Sequence, residues 1–260
     1  RPARRPVMRR PPPASPPGAL EHGHSPAAIR ERLAGNPAQS YLRDWVYGGI
    51  DGAVTTFAVV AGVVGADLST RTVLILGIAN LLADGFSMAA GNYSATKSER
   101  DDQARLRAVE ERHIALVPEG EREEVRQILR AKGFQGRQLE QAVRVITSDR
   151  QRWVELMLTE EYGLPKAPRS PVKAALSTFL AFLLCGAVPL APFVLGAAGA
   201  FMPSVALTGL VFFGIGSAKS RWSLAPWWRS GLETAAVGMA AAALSYGTGW
   251  ALGRLVGTVP

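Results

Sequence analysis

Two stretches decide the reading of this chain: Trp45-Val-Tyr-Gly-Gly-Ile-Asp-Gly-Ala-Val-Thr-Thr-Phe57 and Leu82-Ala-Asp-Gly-Phe-Ser-Met-Ala-Ala-Gly-Asn-Tyr93. Both lie within Tyr41–Arg100, and each belongs to an apolar run long enough to cross a bilayer, for which about 20 helical residues suffice. Each run carries an aspartate. A carboxylate near mid-bilayer costs about 3 kcal/mol or more, so it faces a partner, water or the bundle interior and marks a functional site by default.

The spacing sharpens this. Asn80, Asp84, Met88 and Asn92 recur every fourth residue and form one polar stripe on the second helix. Asp44 and Asp51 lie seven apart, two turns along one face of the first. Carboxylate, amide and thioether together suit a divalent transition metal of intermediate softness better than Mg²⁺ or Ca²⁺. Glycines and alanines beside these positions allow close helix packing or a pore. Hydrogen bonding between helices is the competing explanation for the same polar groups.

Working outward, 48% of the 260 residues are hydrophobic and 19% charged. Soluble domains carry about 25% charge, and here the charges are segregated. The pattern is that of an all-α, polytopic membrane protein: five crossings with a small three-helix insert between the second and third. The layout reads as a basic tail with a short surface helix over 1–39, two crossings over 40–97, the insert over 98–169, and three crossings over 170–260. The net charge of +8 does not indicate nucleic-acid binding, because Arg1, Arg4, Arg5, Arg9, Arg10, Arg30 and Arg32 cluster in the tail. That tail is Pro- and Arg-rich, has no apolar signal core, and reads as disordered. It does not begin with Met, and Met8 is an alternative start; His22 and His24 read as solvated bystanders. The lone Cys185 permits no internal disulfide.

Crossings are expected at Trp45–Gly65, Thr72–Tyr93, Val172–Leu195, Ser204–Ala218 and Leu232–Leu252. A turn at Ala66–Thr70 has Asp67 as helix stop, and Pro189 or Pro192 ends or kinks the third crossing. The second crossing continues out of the membrane as a charged helix. Insert helices are expected at Ser94–Leu116, Gly120–Lys132 and Gln135–Tyr162. Lys219–Arg229, basic and Trp-rich, reads as an interfacial anchor, with Glu233 as a partner for Lys219. Lys and Arg crowd the tail, the insert and the 219–229 loop, which places the N-terminus and insert in the cytoplasm and the C-terminus outside. The short chain without a targeting signal suggests a bacterial inner membrane, or a vacuolar membrane in a eukaryotic source.

Tyr41-Leu-Arg-Asp-Trp-Val-Tyr-Gly-Gly-Ile-Asp-Gly, Thr55-Thr-Phe and Asp84-Gly-Phe-Ser-Met-Ala-Ala-Gly-Asn-Tyr resemble the signature of the vacuolar iron transporter family. The resemblance runs from about Ser40 to the C-terminus. It implies export of Fe²⁺ and Mn²⁺ from the cytosol by exchange with protons, a homodimer with the path between subunits, and no resident cofactor; Zn²⁺ is a further candidate ion. Asp51 and Met88 are the leading transport ligands, with Asp44 and Asn92 nearer the cytosolic mouth.

The resemblance also implies metal sites in the insert, on Glu110, Glu121, Glu124, Met157 and Glu161. His113 stands where the family has a glutamate, as does Ala108, and Asn80 replaces a glutamate in the second crossing. Asparagine does not titrate, so proton coupling would fall to Asp51 or Asp84. From spacing alone, Glu110 with His113 and Glu121 with Glu124 are i, i+3 pairs of a kind that helical di-metal sites use. The alternatives are a non-transporting membrane metal sensor and, much less favoured, an enzyme, for which the chain lacks GxSxG, HExxH and CxxC motifs.

Overall fold

A computed structural model describes residues 23–34, 39–165 and 167–256. The described residues are helical, without strand. The chain forms two units, Arg1–Gln39 and Ser40–Pro260. In the first, α1 (Pro26–Ala34) is a short helix carrying the Ser25 hydroxyl at its start, which accepts from the Ala28 N–H at 3.2 Å. His24 is exposed; His22 and the rest of the tail before Gly23 lie outside the described residues.

The second unit begins with α2 (Leu42–Gly65), followed by the 47-residue α3 (Thr70–Leu116). Between them Asp67 takes a left-handed backbone, φ 57°, a conformation in which aspartate is enriched. Ser69 then caps α3, its hydroxyl accepting from the Thr72 N–H at 3.2 Å. At 1.5 Å per residue α3 is about 70 Å long, more than twice the ~30 Å of bilayer hydrocarbon. It therefore links a membrane bundle to the insert.

In the insert, α4 (Pro118–Ala131), α5 (Gly136–Thr147) and α6 (Arg150–Glu160) pack with the end of α3. The single helix expected over Gln135–Tyr162 is two helices. The Ser148 hydroxyl turns back to the Val145 carbonyl at 2.8 Å, and Asp149 caps a new helix by accepting from the Arg152 N–H at 2.8 Å. Both side chains compete for backbone groups that a continuous helix would use. A core of Ile114, Val125, Leu129, Leu139, Val143, Trp153, Val154, Met157 and Leu158 closes the unit.

The membrane bundle resumes with α7 (Pro171–Ala187). A 3-10 turn at Val188–Leu190 and α8 (Ala191–Val194) continue it; Pro189 and Pro192 account for the broken regularity. Next come α9 (Phe201–Lys219) and the 30-residue α10 (Trp227–Val256). Four described helices are long and apolar enough to cross a membrane: Leu42–Gly65, Thr70–Leu116, Pro171–Val194 and Phe201–Trp222. The expected fifth crossing, Leu232–Leu252, lies inside α10, which packs along α2 and α9. Outward faces carry Ile75, Ile78, Leu82, Phe86, Leu180, Leu184 and Leu210, an apolar exterior of the kind that faces lipid. Glu233 pairs with Arg229 at 3.3 Å rather than with Lys219, because one helical turn brings that pair together on α10.

Helix α2 is central, packed on α3, α7, α9 and α10. Its contact with α7 is backbone to backbone. A Cβ on Gly48 would stand 2.4 Å from the Thr178 carbonyl oxygen, and one on Gly52 2.4 Å from that of Phe182. These two glycines, one turn apart, let α7 lie close enough to bring its polar residues to α2 and α3.

Candidate functional site: a polar seam through the bundle and an acidic cluster beyond it

The seam begins where α2, α3 and the start of α7 meet. Asp44 is 6% exposed. Its Oδ1 accepts from Asn92 Nδ2 at 2.9 Å, and its Oδ2 is paired with the Arg169 guanidinium. The same Asn92 amide nitrogen reaches Thr178 Oγ1 at 2.7 Å and the Ala174 carbonyl at 3.3 Å, while the Thr96 hydroxyl donates to Asn92 Oδ1 at 3.3 Å. Arg169 lies over the Tyr41 ring at 5.4 Å. The Tyr41 hydroxyl accepts from the Ser170 N–H at 3.0 Å, and the Ser177 hydroxyl donates to the Tyr41 carbonyl at 3.0 Å. Asp44 and Asn92 therefore come together, each saturated by protein partners.

Two turns further along α2 the surroundings invert. Asp51 is half-buried, and the charge that bears on it is that of Asp84 on α3, another acid. Met88, also half-buried, packs against the core that contains Phe57 and Phe182. Asn80 lies one turn beyond Asp84, and its Nδ2 is buried with no hydrogen-bond partner. The Thr56 hydroxyl oxygen on α2 is likewise buried without a hydrogen-bond partner. Unpaired polar atoms in such a setting are costly and call for a ligand, water or ion.

The second place is the insert. Glu110 and Glu121 are 1% and 5% exposed. Tyr162 donates its hydroxyl to Glu110 Oε1 at 2.9 Å, and His113 Nδ1 stands 3.4 Å from Glu121 Oε1. The remaining oxygens, Glu110 Oε2 and Glu121 Oε2, are buried and unpartnered. Burial first, then the neighbouring charges of Glu124, Glu110 and Glu161, push the Glu121 carboxyl up to about 7. Burial and the charges of Glu110 and Glu124 likewise raise Glu161, and the Tyr162 phenol is raised by burial and Glu110. Met157 is fully buried beneath this cluster.

The structure thus gathers Glu110, His113, Glu121, Glu124 and Glu161 in one neighbourhood. Among the described residues, no three His, Cys, Asp or Glu side chains close on one metal-sized point. Two participants escaped sequence reasoning. Tyr162 adjoins Glu161 and was visible only as a helix end. Arg169 sits between Pro168 and Ser170, beyond the insert's last helix, and a lone basic residue before an apolar run was its single signal.

The VIT family model matches residues 42–250, which takes in both the seam and the acidic cluster. The chain belongs to the VIT family. It is similar to vacuolar iron transporter 1 of Arabidopsis thaliana, 35% identical over 212 residues that cover 80% of this chain and 85% of that protein. The same-named protein of Eucalyptus grandis is 34% identical over 239 residues, 88% of this chain and 96% of its own. The vacuolar iron transporter of Toxoplasma gondii is 34% identical over 234 residues, covering 85% and 78%. Within this VIT-family chain the matched region takes in every acidic, amide, imidazole and thioether residue of the seam and the cluster, while Tyr41 immediately precedes it.

Proposed function

We propose that this protein is a multi-pass membrane transporter that exports divalent transition metal, Fe²⁺ and Mn²⁺ foremost, from the cytosol. The observation that carries this is the pair Asp51 and Asp84, two half-buried acids on membrane-length helices near enough for one charge to bear on the other. Two carboxylates neutralise a divalent ion, which removes most of the penalty of placing its charge in a low-dielectric seam. Met88 adds a softer donor, which favours Fe²⁺ and Mn²⁺ over Mg²⁺ or Ca²⁺. When the ion leaves, the acids repel, and a proton held between them relieves that repulsion. This is the physical basis for exchange with protons, with Asp51 and Asp84 carrying it because Asn80 cannot.

In this reading α10 is a fifth crossing, the insert is cytosolic, and its acidic cluster loads metal that α3 leads to the bundle. Asp51, Asp84 and Met88 are half-buried in the single chain, which supports a homodimer with the path between subunits. The relatives' names support iron as cargo. The membrane is the bacterial inner membrane or, in a eukaryotic source, the vacuolar one.

The test is uptake of Fe²⁺, Mn²⁺ and Zn²⁺ into proteoliposomes with and without a pH gradient, for the parent chain, Asp51→Ala and Met88→Ala. Expected is gradient-dependent uptake by the parent that both variants abolish or cut at least about tenfold, the loss of one charged or soft ligand in a desolvated site. Uptake unchanged in both variants refutes the assigned ligands. Metal binding by the full chain with no uptake of any ion converts the reading to a membrane sensor.

A further inference from the structure

We infer that Arg169 is a tethered cation that gates the mouth of the seam: it holds the Asp44 carboxylate that an entering metal ion must take, and entry requires exchange of the guanidinium for the ion. The inference rests on the transport reading for its role, and on geometry for its existence. Asp44 is buried, so a bare carboxylate there is strongly disfavoured and stays paired until another cation replaces its partner. Asn92 presents its amide nitrogen, not its oxygen, to Asp44, and that oxygen already accepts from Thr96, so the carboxylate is the group an incoming ion would have to win. Arg169 is the partner that can leave, because its side chain is 34% exposed whereas Asp44 is 7% exposed.

The arm is held at both ends. Arg169 rests on the Tyr41 ring, and the following residue, Ser170, is fixed to the Tyr41 hydroxyl and caps α7. On the other side the chain leads back to Tyr162 and Glu161 of the acidic cluster, with the Pro165 carbonyl held by Gln103 of α3 at 2.8 Å. A divalent ion brings two charges where the arginine brings one, whereas a monovalent ion brings no such advantage. The gate thus favours divalent entry and keeps the seam closed in its absence.

The test uses the full chain in two measurements. In proteoliposomes, Arg169→Gln lowers the half-saturating Mn²⁺ concentration by about fivefold, the competition lost with one partly exposed ion pair. Arg169→Lys keeps the charge but loses the planar fork and its stack, and shifts it less in the same direction. Asp44→Asn added to Arg169→Gln removes the gain. If Arg169→Gln does not fold, Arg169→Lys carries the test.

Independently of flux, electron paramagnetic resonance counts bound Mn²⁺ in purified full chain carrying Glu110→Gln and Glu121→Gln. There Arg169→Gln adds one bound ion, and Asp44→Asn takes it away. An added ion without flux in any variant keeps the gate and overturns the transport reading. Flux with an unchanged half-saturating concentration and no added ion overturns the gate, as does a fall in maximal rate alone.

Discussion

Glu121→Gln should make the metal-free insert more stable at neutral pH. Glu121 is almost fully buried, one of its oxygens has no partner, and the groups around it are mostly acids. Its carboxyl holds a proton up to about pH 7 in the folded chain, against 4.5 for an ordinary glutamate. Between those limits the folded state binds more protons than the unfolded state. Stability therefore falls as pH rises through that window and is flat above it. At 1.36 kcal/mol per pH unit the full loss is at most about 3 kcal/mol.

Glutamine keeps the shape, never ionises, and its amide can donate to a neighbouring carboxylate. At pH 7.5 the variant should therefore raise the opening free energy of α4 by about 1–3 kcal/mol, slowing exchange about 5- to 150-fold at 25 °C. The assay is hydrogen exchange at the Val125 and Leu129 amides, which lie in the insert core. At pH 5 the gain should shrink below about 1 kcal/mol, because Glu121 is then mostly protonated in the folded parent. Saturating Mn²⁺ should reverse the order, since the parent gains a ligand pair that the variant lacks. Equal protection at pH 7.5, or a gain as large at pH 5, would show that acid repulsion is not what strains this cluster.

Two further outcomes follow from the packing. Tyr162→Phe removes the 2.9 Å bond to Glu110 Oε1, the phenol donor of that buried carboxylate; the metal-free insert should lose about 1–3 kcal/mol, read as faster exchange at the Met157 and Leu158 amides, and unchanged exchange there would contradict the assigned bond. Gly52→Ala forces a Cβ to within 2.4 Å of the Phe182 carbonyl and should cost about 1–3 kcal/mol or more, seen as a lower melting temperature and less monodisperse protein, whereas Gly91→Ala, with no atom within 4 Å, should be neutral on both measures.

The membrane helices were legible because long apolar runs punctuated by turn residues admit few solutions. Asp67 lies at the α2–α3 turn and Pro189 at the break after α7, where their backbone preferences are strongest. The split of Gln135–Tyr162 was not legible, because Ser148 and Asp149 are tolerated within helices and only their actual hydrogen bonds end one. Glu233 had two cations within plausible reach along the chain, and helical geometry, not sequence distance to Lys219, selected Arg229.

Asp44 and Asp51 show where sequence reading stops. They are the same residue on the same helix, two turns apart, and nothing in the local pattern separates them. The difference is supplied by other elements. At Asp44, α3 brings an amide and the chain before α7 brings a guanidinium, 125 positions away. At Asp51, α3 brings a second acid. One carboxylate therefore has its counter-cation built into the fold, and the other forms no ion pair among the described residues. That asymmetry is one of electrostatic setting: Asp44 sits beside a resident cation, whereas the charge bearing on Asp51 is that of another acid. Periodicity places both acids on a helix, but only the tertiary neighbours decide which of them has a counter-charge beside it.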